Sequence, residues 1–275
     1  MTRLIVILAL LAAAVVLGIA AFVWSGRYDI SANVQHLQPV HSLLEKTMHQ
    51  SVRRRAAQIK PPALDSAALV ARGAACFVAK CVQCHGGPGV AQAEIGRSMQ
   101  PLPGPLVDAA ARWRPQELYW ITRNGIKMSG MPAWQHRLPD EDLWALVAFM
   151  QRLPALKAAE FRSLNDSGAT AQCAVTWPAA ERKPDADRGR TAVTQYACNA
   201  CHTIPGITGS DVHVGPPLNG MARRSLIAGV DPNTPEQMVR WLTDPHSIDP
   251  ETTMPAMQLS DQDARDIAAF LATLD

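Results

Sequence analysis

The sequence predicts a mainly α-helical chain in which one helical unit occurs twice behind an apolar amino-terminal helix. Three observations predict it. The pattern C-x-x-C-H appears at residues 81–85 and again at 198–202. The stretch LPDEDLWALVAFMQRL (138–153) lies without a gap on LSDQDARDIAAFLATL (259–274), matching Leu138 with Leu259, Asp142 with Asp263, Phe149 with Phe270 and Leu153 with Leu274. A duplicated stretch marks a duplicated unit. Residues 4–24 form one uncharged apolar run between Arg3 and Arg27.

That run matches the about 20 residues a helix needs to cross a bilayer and exceeds the about 7–15 of a secretory h-region. No small-x-small cleavage site follows it, so residues 1–25 are read as a retained transmembrane anchor with Arg3 inside and the remainder of the chain outside. Residues 26–62 follow as a juxtamembrane helical segment with six basic against two acidic side chains. Its His36, His41 and His49 match no metal-ligand spacing and are read as ordinary residues of a surface helix. Arg53, Arg54 and Arg55 are read as a solvated face.

The first unit occupies residues 63–160. Leu69, Gly73, Phe77 and Lys80 recur at helical spacing and lead into the first C-x-x-C-H. Residues 161–185 carry Asn165, Asp166, Ser167, Gly168 and Pro184 without sustained periodicity, the composition of a linker. The second unit occupies residues 186–275, where Thr234 to Gln237 read as a capping box with proline at the first helical position, and Ser260 with Asp263 opens the closing helix. Glycine and proline gather at GGPG (86–89), PLPGPL (101–106) and VGPPL (214–218), the loops between helices. Further matches keep the order of the repeat: Trp120 and Thr122 with Trp241 and Thr243, and MPAW (131–134) with MPAM (254–257).

A formal charge of +2 carries no global excess that argues for a nucleic-acid partner. The second unit alone is acidic, with six basic against twelve acidic residues over 185–275. Four of the six cysteines sit in the repeated patterns. Cys76 and Cys173 either pair across the linker or are small buried residues.

Paired C-x-x-C patterns serve as zinc knuckles, thiol redox centres or covalent haem attachments. Zinc ribbons pair their knuckles at short separations, whereas Cys81 and Cys198 are far apart with a linker between them. A thioredoxin-like site requires a βαβ context that this helical pattern lacks. A histidine following both pairs is the mark of haem c: the two thiols reach vinyl groups on one porphyrin edge, and the adjoining imidazole falls beneath the iron. Cys81 and Cys84 would thus hold one haem with His85 as axial ligand, and Cys198 and Cys201 a second with His202. Haem c is attached on the periplasmic or outer face of the membrane, which agrees with the orientation of the anchor.

C-x-x-C-H, a proline loop, a methionine-proline segment and a closing aromatic-containing helix resemble the class I cytochrome c family, over roughly residues 63–153 and again over 186–275. The resemblance implies two small helical wraps, each around one haem. VGPPLNG resembles the family's G-P-x-L loop, which implies that the Pro216 carbonyl accepts a hydrogen bond from His202. PLPGPL in the first unit departs from that loop and leaves Pro103 and Pro105 as alternatives.

For the sixth iron ligand the first unit offers Met128, Met131 and His136, and the second Met254, Met257, His213 and His246. Only Met131 and Met254 take the same place in both units, before Pro-Ala and upstream of the final helix, as the family's ligand does. Trp120 and Trp241 also correspond, and either donate an indole N–H to a haem propionate or pack against the porphyrin. Iron with both axial positions filled passes electrons and has no vacancy for a substrate. The expected protein is therefore a membrane-anchored dihaem electron carrier and not an enzyme, on the periplasmic side of a bacterial inner membrane. Its expected donor is a quinol-cytochrome c reductase or a soluble cytochrome. Its expected acceptor is a haem-copper oxidase, since CHTIPG, GPPL, PEQMVRWLTDP and TMPAM resemble oxidase-associated cytochrome domains. The competing expectations are an electron-accepting subunit of a periplasmic dehydrogenase and a dihaem peroxidase.

Overall fold

The computed structural model describes residues 1–166, 173, 182–209, 212 and 214–275. Among the described residues, twelve α-helices run in the order α1 (Thr2–Trp24), α2 (Gln38–Ala56), α3 (Ala67–Lys80), α4 (Val82–His85), α5 (Glu94–Arg97), α6 (Ala109–Arg112), α7 (Pro115–Asn124), α8 (Asp140–Met150), α9 (Ala158–Asp166), α10 (Ala186–Gln195), α11 (Pro235–Thr243) and α12 (Asp261–Leu271). A two-residue antiparallel ladder, β1 (Leu226–Ile227) with β2 (Asp231–Pro232), is the sheet among the described residues. Helix α1 is long and apolar enough to cross a membrane and has no buried residue.

Each unit is built on one crossing of its leading helix over its closing helix, α3 over α8 and α10 over α12. The crossings are superposable in chemistry. A Cβ at Gly73 would lie 1.9 Å from the Ala145 carbonyl oxygen and 2.9 Å from Phe149 Cβ. A Cβ at Gly189 would lie 1.9 Å from the Asp266 carbonyl oxygen and 2.9 Å from Phe270 Cβ. Backbone therefore meets backbone at the same point of both units, an approach that only glycine permits. The arginine one position before each glycine pairs with the closing helix: Arg72 with the fully buried Asp142, and Arg188 with Asp266 at 3.1 Å. The matched pair Asp142 and Asp263 thus belongs to the crossing.

The first core centres on Phe77, which packs against Phe149 (centroids 5.3 Å apart) and edge-on against Phe161 (6.0 Å), with Leu138, Leu143, Leu146 and Leu153 around them. The second gathers Val193, Trp241, Ile267, Phe270 and Leu271. Helix α2 docks on α7, burying Val52 and Ala56 and stacking His49 on Trp113 at 4.2 Å. His49 is therefore a packing residue.

Two sequence expectations shift here. Phe161 is fully buried in the first core and α9 continues to Asp166, so helical packing of the first unit extends into the segment read as linker. At nine residues α9 is shorter than the windows in which helical periodicity is read from sequence. Of the remaining linker segment, residues 167–172 and 174–181 lie outside the described residues. Cys173 is described: it is buried in the first core and forms a disulfide with Cys76, closing a separation of 97 residues. At the helix starts, Ser260 Oγ accepts from Asp263 N–H, while Thr234 accepts from Gln237 N–H without the return bond of a full capping box.

Candidate haem sites

Both attachment motifs curl through one turn. Helix α3 ends at Cys81, whose carbonyl accepts from Cys84 N–H (3.1 Å) and His85 N–H (2.9 Å). In the second unit the Cys198 carbonyl accepts from Cys201 N–H (3.2 Å) and His202 N–H (2.9 Å). All four thiols are free, so none is held in a structural bridge. Burial pushes the Cys81 thiol up to about 12, the Cys84 thiol adding to the effect against Lys80, and burial pushes the Cys198 thiol up to about 11. Both stay protonated at neutral pH, the S–H form that adds across a vinyl double bond.

The imidazoles are oriented by backbone. His202 Nδ1 lies 2.7 Å from the Pro216 carbonyl oxygen, and His85 Nδ1 lies 2.7 Å from that of Gly104. A carbonyl can only accept, so Nδ1 carries the proton in both rings and Nε2 keeps its lone pair for a metal. Burial, against the opposing effect of the Gly104 bond, lowers the His85 ring below its ordinary range. The loop of the second unit comes so close that a Cβ at Gly215 would stand 2.4 Å from the His202 ring. In the first unit neither proline carbonyl faces the histidine. That of Pro103 accepts from Gln92 Nε2 at 2.5 Å and that of Pro105 from Arg112 at 3.2 Å, leaving Gly104 between them. Any residue supplies a carbonyl, so side-chain pattern alone does not locate it.

Met131 and Met254 are both half-buried. They share a support that sequence reasoning missed: Met131 N–H donates to Ser129 Oγ and Met254 N–H to Thr252 Oγ1, each at 3.3 Å. The signal was available as a hydroxyl residue two places before each methionine. The other candidates are placed elsewhere. Met128 is 92% exposed, Met257 packs on the second core, His246 is exposed, and His136 is buried against the second unit. His213 lies outside the described residues. Trp120, on α7, is half-buried and Trp241, on α11, is buried.

The donor set fits haem c at each site: two unpaired thiols, one imidazole whose Nδ1 is held by a backbone carbonyl, and one thioether on a hydroxyl-braced loop. Residues 68–150 match the family described as cytochrome c oxidase, cbb3-type, subunit III, and residues 186–275 match the cytochrome c family. A curated relative, cytochrome c oxidase subunit 2 of Alkalihalophilus pseudofirmus, is 32% identical over 90 residues, which is 32% of this chain. This chain spans about a quarter (25%) of that relative's length. No solved structure matches. Cytochrome c domains carry covalent haem c and act in electron transfer, not as enzymes, outside the cytoplasm. The chain belongs to the cytochrome c family, with two class I cytochrome c domains in tandem.

Proposed function

We propose that the chain is a dihaem c-type cytochrome, anchored in the membrane by α1, that relays single electrons from a respiratory donor to a haem-copper oxidase. The observation that carries this reading is the doubled proximal arrangement, in which His85 and His202 each give Nδ1–H to a backbone carbonyl at 2.7 Å beside two unpaired thiols. In this reading Cys81 and Cys84 tether one haem and Cys198 and Cys201 the other. His85 and Met131 would hold the iron of the first, and His202 and Met254 that of the second. Bound haem supplies the one-electron iron couple. The chain's residues hold it: the Gly104 and Pro216 carbonyls fix ring orientation and raise the basicity of Nε2, and Ser129 and Thr252 brace the methionine loops. Trp120 and Trp241 stand where an indole N–H serves a propionate or a ring face packs on the porphyrin.

Three observations support an oxidase as acceptor: the oxidase subunit named for residues 68–150, the oxidase subunit among the relatives, and the acidic second unit. Excess negative charge speeds docking on a basic surface, and salt screens it. The proposed domains are the anchor at 1–25, a juxtamembrane helix at 26–62, and haem domains at 63–160 and 186–275 joined by 161–185. They place both haems on the periplasmic side of a bacterial inner membrane.

Affinity isolation of the full chain from native membranes tests the assignment. Recovery of a haem-copper oxidase core, with electron delivery that slows as salt rises, is the expected result. Recovery of a periplasmic dehydrogenase instead would assign the chain as that enzyme's electron acceptor.

A further inference from the structure

The two units depart from their shared pattern at one place that nothing above explains. MPAWQ (131–135) matches MPAMQ (254–258), and Leu138 matches Leu259. The first unit therefore holds two residues, His136 and Arg137, that the second lacks. Where they are missing, Gln258 takes a left-handed backbone (φ 53°) that turns the chain directly into α12.

Those two inserted residues are the ones that reach the other unit. Arg137 Nη2 donates to the Gln195 carbonyl at 3.1 Å, and its guanidinium lies 4.2 Å from the centre of the Tyr196 ring. His136 is 2% exposed and its Nδ1 stands 3.7 Å from Asp263 Oδ1, within ion-pair range and beyond a hydrogen bond. The receiving surface is held in place from behind. Asp263 Oδ2 accepts from Tyr196 Oη (2.8 Å) and Ser260 Oγ (2.7 Å), and Arg188 stands 3.8 Å from Oδ1. Tyr196 is itself followed by Ala197, a residue in the left-handed region (φ 56°) that the first unit lacks, since Gly73 to Cys81 is one residue shorter than Gly189 to Cys198. The two inserted residues thus meet a surface whose backbone is itself reshaped by one added residue.

We propose that His136 and Arg137 are positioning residues that fix the two haem-binding units in one relative orientation and so set the rate at which an electron passes between them. The proposal rests on the dihaem reading. The seam joins the loop of Met131 to the backbone that runs through Tyr196 into Cys198, so the contact lies between the distal side of one site and the attachment edge of the other. The step moves one electron from ferrous iron in one unit to ferric iron in the other, with no bond made or broken and no proton moved. A planar guanidinium that both stacks and donates holds two surfaces in a defined geometry, which a flexible ammonium does not.

The test uses the full chain with both haems attached. Haem count per chain is measured first, because a single haem would defeat the dihaem reading before any kinetics. Electron redistribution between the haems after pulsed reduction is then compared in the wild type, Arg137→Ala, Arg137→Lys, and a variant lacking both His136 and Arg137. The expected result is a slowing of about tenfold or more in Arg137→Ala, equivalent to about 1.4 kcal/mol lost from the closed arrangement. The slowing should be smaller in Arg137→Lys and larger in the deletion, with both potentials and the visible spectra unchanged. Small-angle scattering should show the variants extended relative to the wild type. Dipolar spectroscopy on the two ferric irons should give one narrow distance in the wild type and a broad one in the variants. An unchanged rate in Arg137→Ala, a shifted potential in place of a slowed transfer, or a broad distance distribution in the wild type would each overturn the proposal.

Discussion

Gly73 against the Ala145 carbonyl and Gly189 against the Asp266 carbonyl are the same contact made twice, and so are His85 with a loop carbonyl, His202 with a loop carbonyl, Ser129 under Met131 and Thr252 under Met254. Around this shared frame the units differ. The first is stapled by Cys76–Cys173, carries Phe161 of α9 in its core and receives α2 on its flank. The second has no disulfide among its described residues and pairs two buried carboxylates, Asp263 and Asp266, with the one Arg188. What is identical is the frame that carries the two candidate haem sites. What differs is how each unit is tied to its surroundings, the first to linker and juxtamembrane helix and the second to the first.

The frame is the place where a single change should do most. Gly73→Val or Gly189→Val drives side-chain atoms into backbone that cannot yield, and overpacking of this kind costs about 1–3 kcal/mol or more. Each is expected to remove folded structure and haem from its own unit while the other keeps both, read as a fall of one haem per chain. Loss of both haems from either variant would show that the units do not fold independently.

The staple comes next. Cys76→Ser with Cys173→Ser opens a loop of 97 residues, and removal of a native disulfide costs about 2–5 kcal/mol. Denaturant unfolding followed by the Soret bands of single-haem variants should show the loss in the first unit alone. Equal destabilisation of both units would mean that the linker supports the second as well.

The smallest effect is the acid response of the seam. Burial alone would raise the Asp263 carboxyl, but the nearby His136 and hydrogen bonds from Ser260 and Tyr196 outweigh it and hold the group below its ordinary value of 3.8. A depressed carboxyl stabilises the fold above its unfolded value, and that contribution is lost as pH falls through the folded value. The second unit should therefore lose stability from pH about 4 downward, and Asp263→Asn should flatten that dependence in denaturant midpoints measured across the range. A second unit whose acid response is unchanged in Asp263→Asn would place the sensitive group elsewhere.

The repeat made the helical class and the candidate ligands legible, because covalent haem chemistry demands particular side chains at fixed spacing: Cys81, Cys84 and His85, then Cys198, Cys201 and His202. Met131 and Met254 stood out only because each unit served as control for the other. Three features were hidden or left undecided, for separate physical reasons. The carbonyl facing His85 belongs to Gly104, and a backbone acceptor leaves no trace in residue type. The pairing of Cys76 with Cys173 depends on α3 and a distant segment meeting in space. The reach of His136 and Arg137 depends on how two units sit together, which periodicity within either unit does not encode.

A count of covalently bound haem per purified chain, with the spin state of each iron, bears on all of this most directly. Two thioether-linked haems per chain, both low-spin, with one lost in Cys81→Ala/Cys84→Ala and the other in Cys198→Ala/Cys201→Ala, is the expected outcome. A single haem in the wild-type chain, or a high-spin resting iron at either site, would contradict a relay built on two closed histidine-methionine centres.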